Sequence, residues 1–420
     1  MTIDIRTVKE SDLAEWVRAL NTGFHRAPTS PPEEVAVRGS RLDLDRTRGA
    51  FDGDRCVATF RSMPRELTVP GGAVLPASAV TNVSVTSTHR RRGLASRMMA
   101  ADLADAKARG DAVSILIAAE YPIYGRFGFG PATWVSEWSV DVPRAQLDRR
   151  YSGPEDGGRV DLAAQEEVRR LGPDLHDRFR AGVPGAINRP GYWWEMNTGQ
   201  AQYPGDGWRE PYWAFYRNPA GEVEGLAAWV VNDREWRGKL PHTELAVLGL
   251  TATTAAAEGA LWRFLLSLDW IARLRTGFRP PDDVLPLLLG DPRAALVEAN
   301  ADFMWLRLLD VPVALSARTY AGGPASLVLE VRDEAGLAGG RFRLETAADG
   351  TAVCAPVTAA APADADLSMD VGDLACLYLG DESASRLAAL GRVTEHRAGA
   401  VAAATGLFRT PRRPWCPDVF

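Results

Sequence analysis

At 420 residues the chain has room for roughly two to four domains, and with 46% hydrophobic and 24% charged residues it can bury a sizeable core. A net charge of −6 disfavours a general nucleic-acid binder and mildly attracts cations. Four cysteines without CxxC spacing and five histidines without an HxxxH or HExxH pair support neither a disulfide framework nor a metal site, and no apolar run is long enough to span a bilayer, so a cytoplasmic protein without metal, membrane or nucleic-acid partners is expected.

Ile3 and Ile5 suggest a short opening strand. Ser11 is an N-cap candidate for a helix whose Leu13, Trp16, Val17, Leu20 and Phe24 share one face. Residues 51–60 and 64–70 read as strands separated by polar residues and turns. In the next strand, Val80 to Val85, Val83 and Val85 point one way while Ser84 and Thr86 point the other. Thr88 or Ser87 can cap a helix beyond it. Arg90, Arg91 and Arg92 then lead into Gly93, and Leu94, Met98, Leu103 and Ala106 recur at roughly helical spacing. A strand, a basic turn, a glycine and a helix aim several backbone N–H groups and the positive end of a helix dipole at one spot. Gly93 lets a ligand approach the backbone, and the arginines supply charge for phosphates. In physical terms this is a pyrophosphate cradle. It is neither a P-loop, since no Gly-Lys-Ser/Thr comes after it, nor a GxGxxG dinucleotide turn.

After a turn at Gly110-Asp111, Ala112 to Ala118 is a short apolar strand, expected at the centre of a sheet. Glu120 to Gly130 then packs three glycines and four aromatics into a tight segment, with Phe127 and Phe129 as a hydrophobic plug. Arg144 to Gly158 reads as a linker. From Val160 to about Leu289 there are helix and strand signals but no second cradle, so this unit is not expected to bind a cofactor. Trp193, Trp194 and Trp213 read as core or interface, with one of them able to wall a cavity. Beyond Ala299 the texture changes to hairpin-like strands at 325–332, 340–345 and 351–354, then helical segments near 371–379 and 384–390. The tail from Pro411 to Phe420 is stiffened by prolines, and Trp415 and Phe420 give it something to bury.

The pattern Arg90-x-x-Gly93-x-Ala95 resembles the acetyl-CoA loop of the GNAT N-acetyltransferases. Thr88 to Leu94 with Ile123 to Thr133, Val311 to Leu315, Ala365 to Asp370 and Leu377 to Gly380 resembles the Eis ("enhanced intracellular survival") family across essentially the whole chain. The resemblance implies an α/β (α+β) fold: an N-terminal GNAT domain at 1–145, a degenerate GNAT-like domain at 146–298 and a sterol-carrier-protein-like domain at 299–420. It also implies assembly as a homohexamer, a trimer of dimers. The co-substrate would be acetyl-CoA, held by Val83, Ser84 and Val85 along the pantetheine arm, by Arg90, Arg91, Arg92, Gly93, Leu94, Ala95 and Ser96 at the pyrophosphate, and by Ala119 and Glu120. A backbone N–H near Val85 would polarise the thioester carbonyl.

Acetyl transfer expels a thiolate, and a tyrosine of reference pKa ~10 can protonate a thiolate whose thiol sits near ~8.5. Tyr124 is the candidate acid. The resemblance assigns the base to the α-carboxylate of Phe420, returned to the first domain. The acceptor is then a primary amine, aminoglycoside-like or a peptide lysine. Two positions depart from the family, His25-Arg26 and Val419 standing where acids are expected, and both weigh against polycationic acceptors. The alternatives are a non-catalytic acyl-CoA or lipid-binding module, and acyl transfer to an alcohol with His89 as base.

Overall fold

The computed structural model describes residues 3–148, 150, 157–204, 207–232, 236–358 and 363–420, so 149 and 151–156 of the expected 144–158 linker lie outside the described residues. The first part of the chain runs β1 (Asp4–Thr7), α1 (Leu13–Gly23), α2 (Pro32–Gly39), β2 (Thr47–Asp52), β3 (Arg55–Thr68), β4 (Val74–Val85), α3 (Leu94–Ala108), β5 (Val113–Ile117), α4 (Tyr121–Tyr124) and β6 (Gly130–Pro131). The second opens with β7 (Trp134–Asp141), α5 (Val142–Ala145), β8 (Arg159–Leu162), α6 (Gln165–Ala181), α7 (Gly191–Asn197), β9 (Tyr212–Arg217) and β10 (Val223–Asn232). It continues through β11 (Trp236–Arg237), β12 (Leu240–Pro241), β13 (Thr243–Ala252), α8 (Ala255–Leu266), β14 (Ile271–Arg275), α9 (Leu285–Leu288), β15 (Ala295–Asp302) and β16 (Met304–Leu308). The third comprises α10 (Val311–Ala317), β17 (Ala325–Arg332), β18 (Gly340–Thr346), β19 (Ala352–Pro356), β20 (Leu367–Asp370), α11 (Val371–Tyr378), α12 (Ala384–Ala389), β21 (Val393–Glu395) and α13 (Ala400–Phe408).

These elements build two seven-stranded sheets, ordered β1-β2-β3-β4-β5-β16-β6 and β15-β7-β14-β13-β10-β9-β8, a five-stranded sheet, β19-β18-β17-β20-β21, and a two-stranded one, β11-β12. The order contains an exchange. β16, at the end of the second part, inserts between β5 and β6 of the first sheet, pairing Met304 with Ile117 and Leu308 with Val113. In return β7 leaves the first sheet and pairs with β14 and β15 of the second. The expected cuts after 145 and 298 therefore run across interlocked sheets: 134–141 belong with the second unit and 304–308 with the first.

Every residue of β5 is apolar but Ser114, as a strand paired on both edges and covered on both faces requires. On one face, Leu94, Met98, Met99, Leu103 and Ala106 of α3 pack with Phe60, Leu116 and Trp305. The other face shares one core with the third unit, where Leu67, Ile115 and Leu306 meet Leu315, Leu374 and Leu377. The third unit is thus a packing partner of the first sheet, its interior filled by residues such as Leu327, Leu329 and Leu344.

Some local expectations change. Residue 12, not Ser11, precedes α1, and the Asp12 carboxylate instead accepts from Lys9 N–H and Arg6. Phe24 lies beyond the helix end and is exposed. The two strands expected at 51–60 and 64–70 are β2 plus a single fourteen-residue β3.

Arg307 of β16 is fully buried and reaches into the third unit, donating to both carboxylate oxygens of Asp333 at 2.9 and 2.8 Å. Burial pushes the Asp333 carboxyl up, but the Arg307 hydrogen bonds and charge, with backbone donors at Ala338 and Ala335, outweigh it and hold the group below its ordinary value. Gly128 has φ +77°, and a Cβ there would collide with the Arg307 guanidinium, so only glycine leaves the arginine room. Arg307→Ala should destabilise the protein by about 3–5 kcal/mol, because it strands a buried carboxylate, as denaturant unfolding would measure. Because the folded-state value is depressed, this pair's contribution is complete above the ordinary carboxylate pKa and is lost as pH falls through the folded value. The acid limb of unfolding should accordingly flatten in Asp333→Asn.

Candidate active site

β4 carries the centre of the site. Its pairing with β5 runs from Ala77–Val113 to Val80–Leu116 and then stops. β5 ends at Ile117 with its other edge taken by β16, so beyond Val80 the edge of β4 that faced β5 has no strand partner among the described residues. On the β3 side the register shifts between Thr59 and Arg61, leaving Asn82 and Val83 without partners there. Asn82 takes the left-handed conformation at φ 54°, as a bulge of this kind needs. Thr59 stabilises it, its hydroxyl donating to the Asn82 carbonyl at 2.8 Å and sharing a hydrogen bond with Ser84. The result is an open strand edge at Val83–Val85 where an extended ligand can add as a strand.

The cradle comes directly after it. A short 3-10 turn, Ser87–His89, leads to exposed Arg90, Arg91 and Arg92 and to Gly93, which precedes α3 at φ 73°. The first helical hydrogen bond runs from Arg97 N–H to Gly93 C=O at 3.0 Å, so the N–H groups of Leu94, Ala95 and Ser96 precede the ladder. A Cβ on Gly93 would meet nothing within 4 Å: the glycine is needed for its dihedral, and the space beside it is free for a ligand. No side chain caps α3. Thr88, expected as a cap, instead bonds to His89 Nδ1 at 2.8 Å, while His89 Nε2 meets Asp52 at 3.3 Å. With both ring nitrogens engaged, His89 is poorly placed to serve as a base.

Ala119 and Glu120 lie exposed on the loop from β5 into α4, and Tyr124 ends α4, buried against Phe129. Burial first, and the Glu120 carboxylate second, push the Tyr124 phenol above its ordinary value, which keeps it protonated at neutral pH. Phe127 and Phe129 pack in the same core as α3, as a plug should.

A cleft of about 420 Å³ opens at the bulge, with Thr81 and Asn82 of β4 on one wall and Phe420 on another. The tail reaches it by a specific path. Trp415 N–H donates to Pro184 C=O, the Trp415 ring meets Phe179 edge-on at 5.9 Å, and Arg279 lies over that ring at 4.7 Å. Asp418 is buried and accepts from Arg189 Nε at 2.9 Å. Burial pushes the Asp418 carboxyl up in spite of Arg189. Phe420 itself is half-buried against the shared core. The structure thus brings Phe420 to the bulge next to Val83. Tyr124 and the cradle lie outside the lining of this cleft.

Sequence reasoning missed most of the cleft wall. Arg38, Arg61, Arg65, Arg189 and Tyr192 all line it, as does Arg26, and Trp193 stands at its junction with a second cavity of about 380 Å³ walled by Trp213, Phe278, Phe303 and Trp415. Among the described residues no group of three or more His, Cys, Asp or Glu side chains could hold a metal ion, and no helix is long and apolar enough to cross a membrane.

Comparisons with known proteins agree with this geometry. The family model described as "Acetyltransferase (GNAT) domain" matches residues 4–132, a second of that description matches 185–308, and "Sterol carrier protein domain" matches 311–417. A Streptomyces avermitilis protein named as an N-acetyltransferase is 57% identical, covering 100% of this chain and 99% of that one. The N-acetyltransferase Eis of Mycobacterium tuberculosis is 39% identical over 82% of this chain and 81% of its own. Among solved structures, Eis1 from Mycobacterium abscessus is similar with a TM-score of 0.82 at 31% identity, 100% of each chain being covered. A GCN5-related N-acetyltransferase from Anabaena variabilis shares the fold, with a TM-score of 0.83 at 18% identity and 100% of each chain covered. Proteins with such domains take acyl-CoA. Replacing Arg91 and Arg92 together with alanine should weaken coenzyme A thioester binding by about 1.5–3 kcal/mol for each charge-assisted hydrogen bond removed. Calorimetry reads this directly, and unchanged affinity would remove both arginines from the cradle.

Proposed function

The chain belongs to the Eis family of GNAT N-acetyltransferases, and from that premise we propose that it transfers the acetyl group of acetyl-CoA to a primary amine. The observation that carries this reading is the return of the tail, which sets Phe420 in the cleft at the Asn82 bulge, beside the open edge of β4. In this reading the pantetheine arm adds to β4 at Val83–Val85, with Ala119 and Glu120 across the gap, and the turn from Arg90 to Ser96 holds the pyrophosphate. The thioester then lies near Val85, whose neighbouring backbone N–H polarises its carbonyl.

An alkylamine is mostly protonated at neutral pH and must lose a proton to attack. The α-carboxylate of Phe420 takes that proton, directly or through water. The amine nitrogen bonds to the thioester carbon, the C–S bond breaks, and the departing thiolate takes the phenolic proton of Tyr124. Attack leaves a second proton on the nitrogen, which passes to solvent as the adduct collapses, while the proton first taken by the carboxylate is returned through water to the tyrosine; the products are an amide, free coenzyme A and one proton. The same reading carries a cytoplasmic homohexamer, which sedimentation would check.

Two measurements test the chemistry. Tyr124→Phe should keep acetyl-CoA affinity and lose about 10²–10⁴ in kcat, the range for a positioned acid, and in the parent the alkaline limb of kcat should lie above pH ~10 because the phenol is held above its ordinary value. Extending the chain past Phe420 by even one residue displaces the carboxylate by up to ~3.5 Å, beyond hydrogen-bond reach of the same nitrogen. A C-terminal tag should therefore abolish transfer while acetyl-CoA still binds. Full turnover by the tagged protein would place the base elsewhere and leave Phe420 as an anchor.

A further inference from the structure

The cleft that receives Phe420 is lined by five arginines, Arg26, Arg38, Arg61, Arg65 and Arg189, against one acidic side chain, Asp418, and the terminal residue Phe420 with its α-carboxylate, in a chain whose net charge is −6. Two of the five are neutralised locally: Arg38 by Glu34 at 2.7 Å, and Arg189 by Asp418 at 2.9 Å. The rest form no ion pair with a side-chain or terminal carboxylate among the described residues, although the charge of Arg65 is felt at Asp418. Arg65 donates to the Pro64 carbonyl, to Met63 sulfur and to the Tyr192 hydroxyl. Arg61 donates to the Arg41 carbonyl at 2.9 Å, and its Nε is buried with no hydrogen-bond partner. Burial pushes the Arg61 guanidinium below its ordinary value, and the neighbouring charges of Arg65 and Arg38 press it the same way. An arginine cannot relieve such a site by shedding its proton. What relieves it is an anion.

Position limits which anion. Arg61 stands directly opposite Thr81 in the β3–β4 ladder, one residue before the Asn82 bulge. Opposed residues hold their Cβ atoms about 5 Å apart, so a group bound by Arg61 lies within a side chain's reach of the open β4 edge. The second cavity adjoins this cleft through Arg189, Trp193, Asp418 and Val419, and its wall is aromatic. Resting on the acetyl-transfer reading above, we propose that the acceptor is a small anionic amine: a primary amine a few bonds from a carboxylate or phosphate, the oxyanion held by Arg61, Arg65 and Arg26, and an apolar group extending past Trp193 into the aromatic cavity. Polycationic acceptors meet like charge at the same wall.

The experiment uses the full chain and two readouts. In calorimetry, 3-phenylpropionate and inorganic phosphate, neither of which has an amine, are titrated into the protein and into Arg61→Met and Arg65→Met, with acetyl-CoA binding confirming that each variant is folded. At least one anion should bind, and each substitution should weaken it by about ten- to a hundredfold, the worth of one charge-assisted hydrogen bond. In a thiol-release assay with acetyl-CoA, free phenylalanine is compared with phenethylamine, and phosphoethanolamine with ethanolamine, alongside the polycation neomycin. Faster turnover of the anionic member identifies the site as one for carboxylate or for phosphate. Anion binding without acetylation of any amine would overturn the acetyl-transfer reading and leave the oxyanion site standing. Neither anion binding, with neutral or polycationic amines acetylated best, would overturn the oxyanion site.

Discussion

The arrangement depends on one exchange of backbone hydrogen bonds. β5 can hold two neighbours, and it holds β4 only as far as Leu116 while β16 occupies its other edge. A parallel ladder that stops leaves an edge of unpaired donors and acceptors, and that edge is where the functional groups gather. Because β16 arrives from beyond the second sheet and carries Arg307 to Asp333, the same strand ties all three units to one another. The gap at β4 is therefore held from three sides and does not depend on loop rigidity.

Around that gap the site divides by origin. The cradle is continuous chain, turn into helix, and its charge is exposed to solvent. The cleft is discontinuous, its walls coming from α2, β3, β4, α7 with the segment leading into it, and the tail. Exposed arginines lose much of their field to screening, whereas the half-buried ones at Arg61 and Arg65 keep theirs. Ligand charge is thus read weakly at one end of the site and strongly at the other.

This division also accounts for what was legible in the sequence. The cradle could be read because strand, arginines, Gly93 and helix are consecutive, and the α3 face because Leu94, Met98, Leu103 and Ala106 keep helical spacing; all four are buried. Three of the third unit's strands and two of its helices, β17 to β19, α11 and α12, are legible within a few residues because local turns bound them, whereas α10, β20, β21 and α13 are not. Neither expected cap forms: Thr88 bonds His89 instead, and Ser11 lies one residue before the N-cap position, which Asp12 holds with its carboxylate turned to Arg6. β16 was invisible as a member of the first sheet, since an apolar five-residue run says nothing about which sheet it joins. Arg61, Arg65 and Arg189 look in sequence like ordinary surface charge. Only folding sets them on one wall, and no periodicity carries that information.

The strand exchange also sets an order of events at the ribosome. β5 is made roughly two hundred residues before the strand that covers its far edge. At 5–20 residues per second this amounts to roughly ten to forty seconds in which an apolar strand edge has its permanent neighbour still unmade. Such an edge invites pairing with another nascent chain. Translation speed between the codons for Ile117 and Met304, and any chaperone that shields that edge meanwhile, therefore bear on the yield of folded protein more than on its final stability.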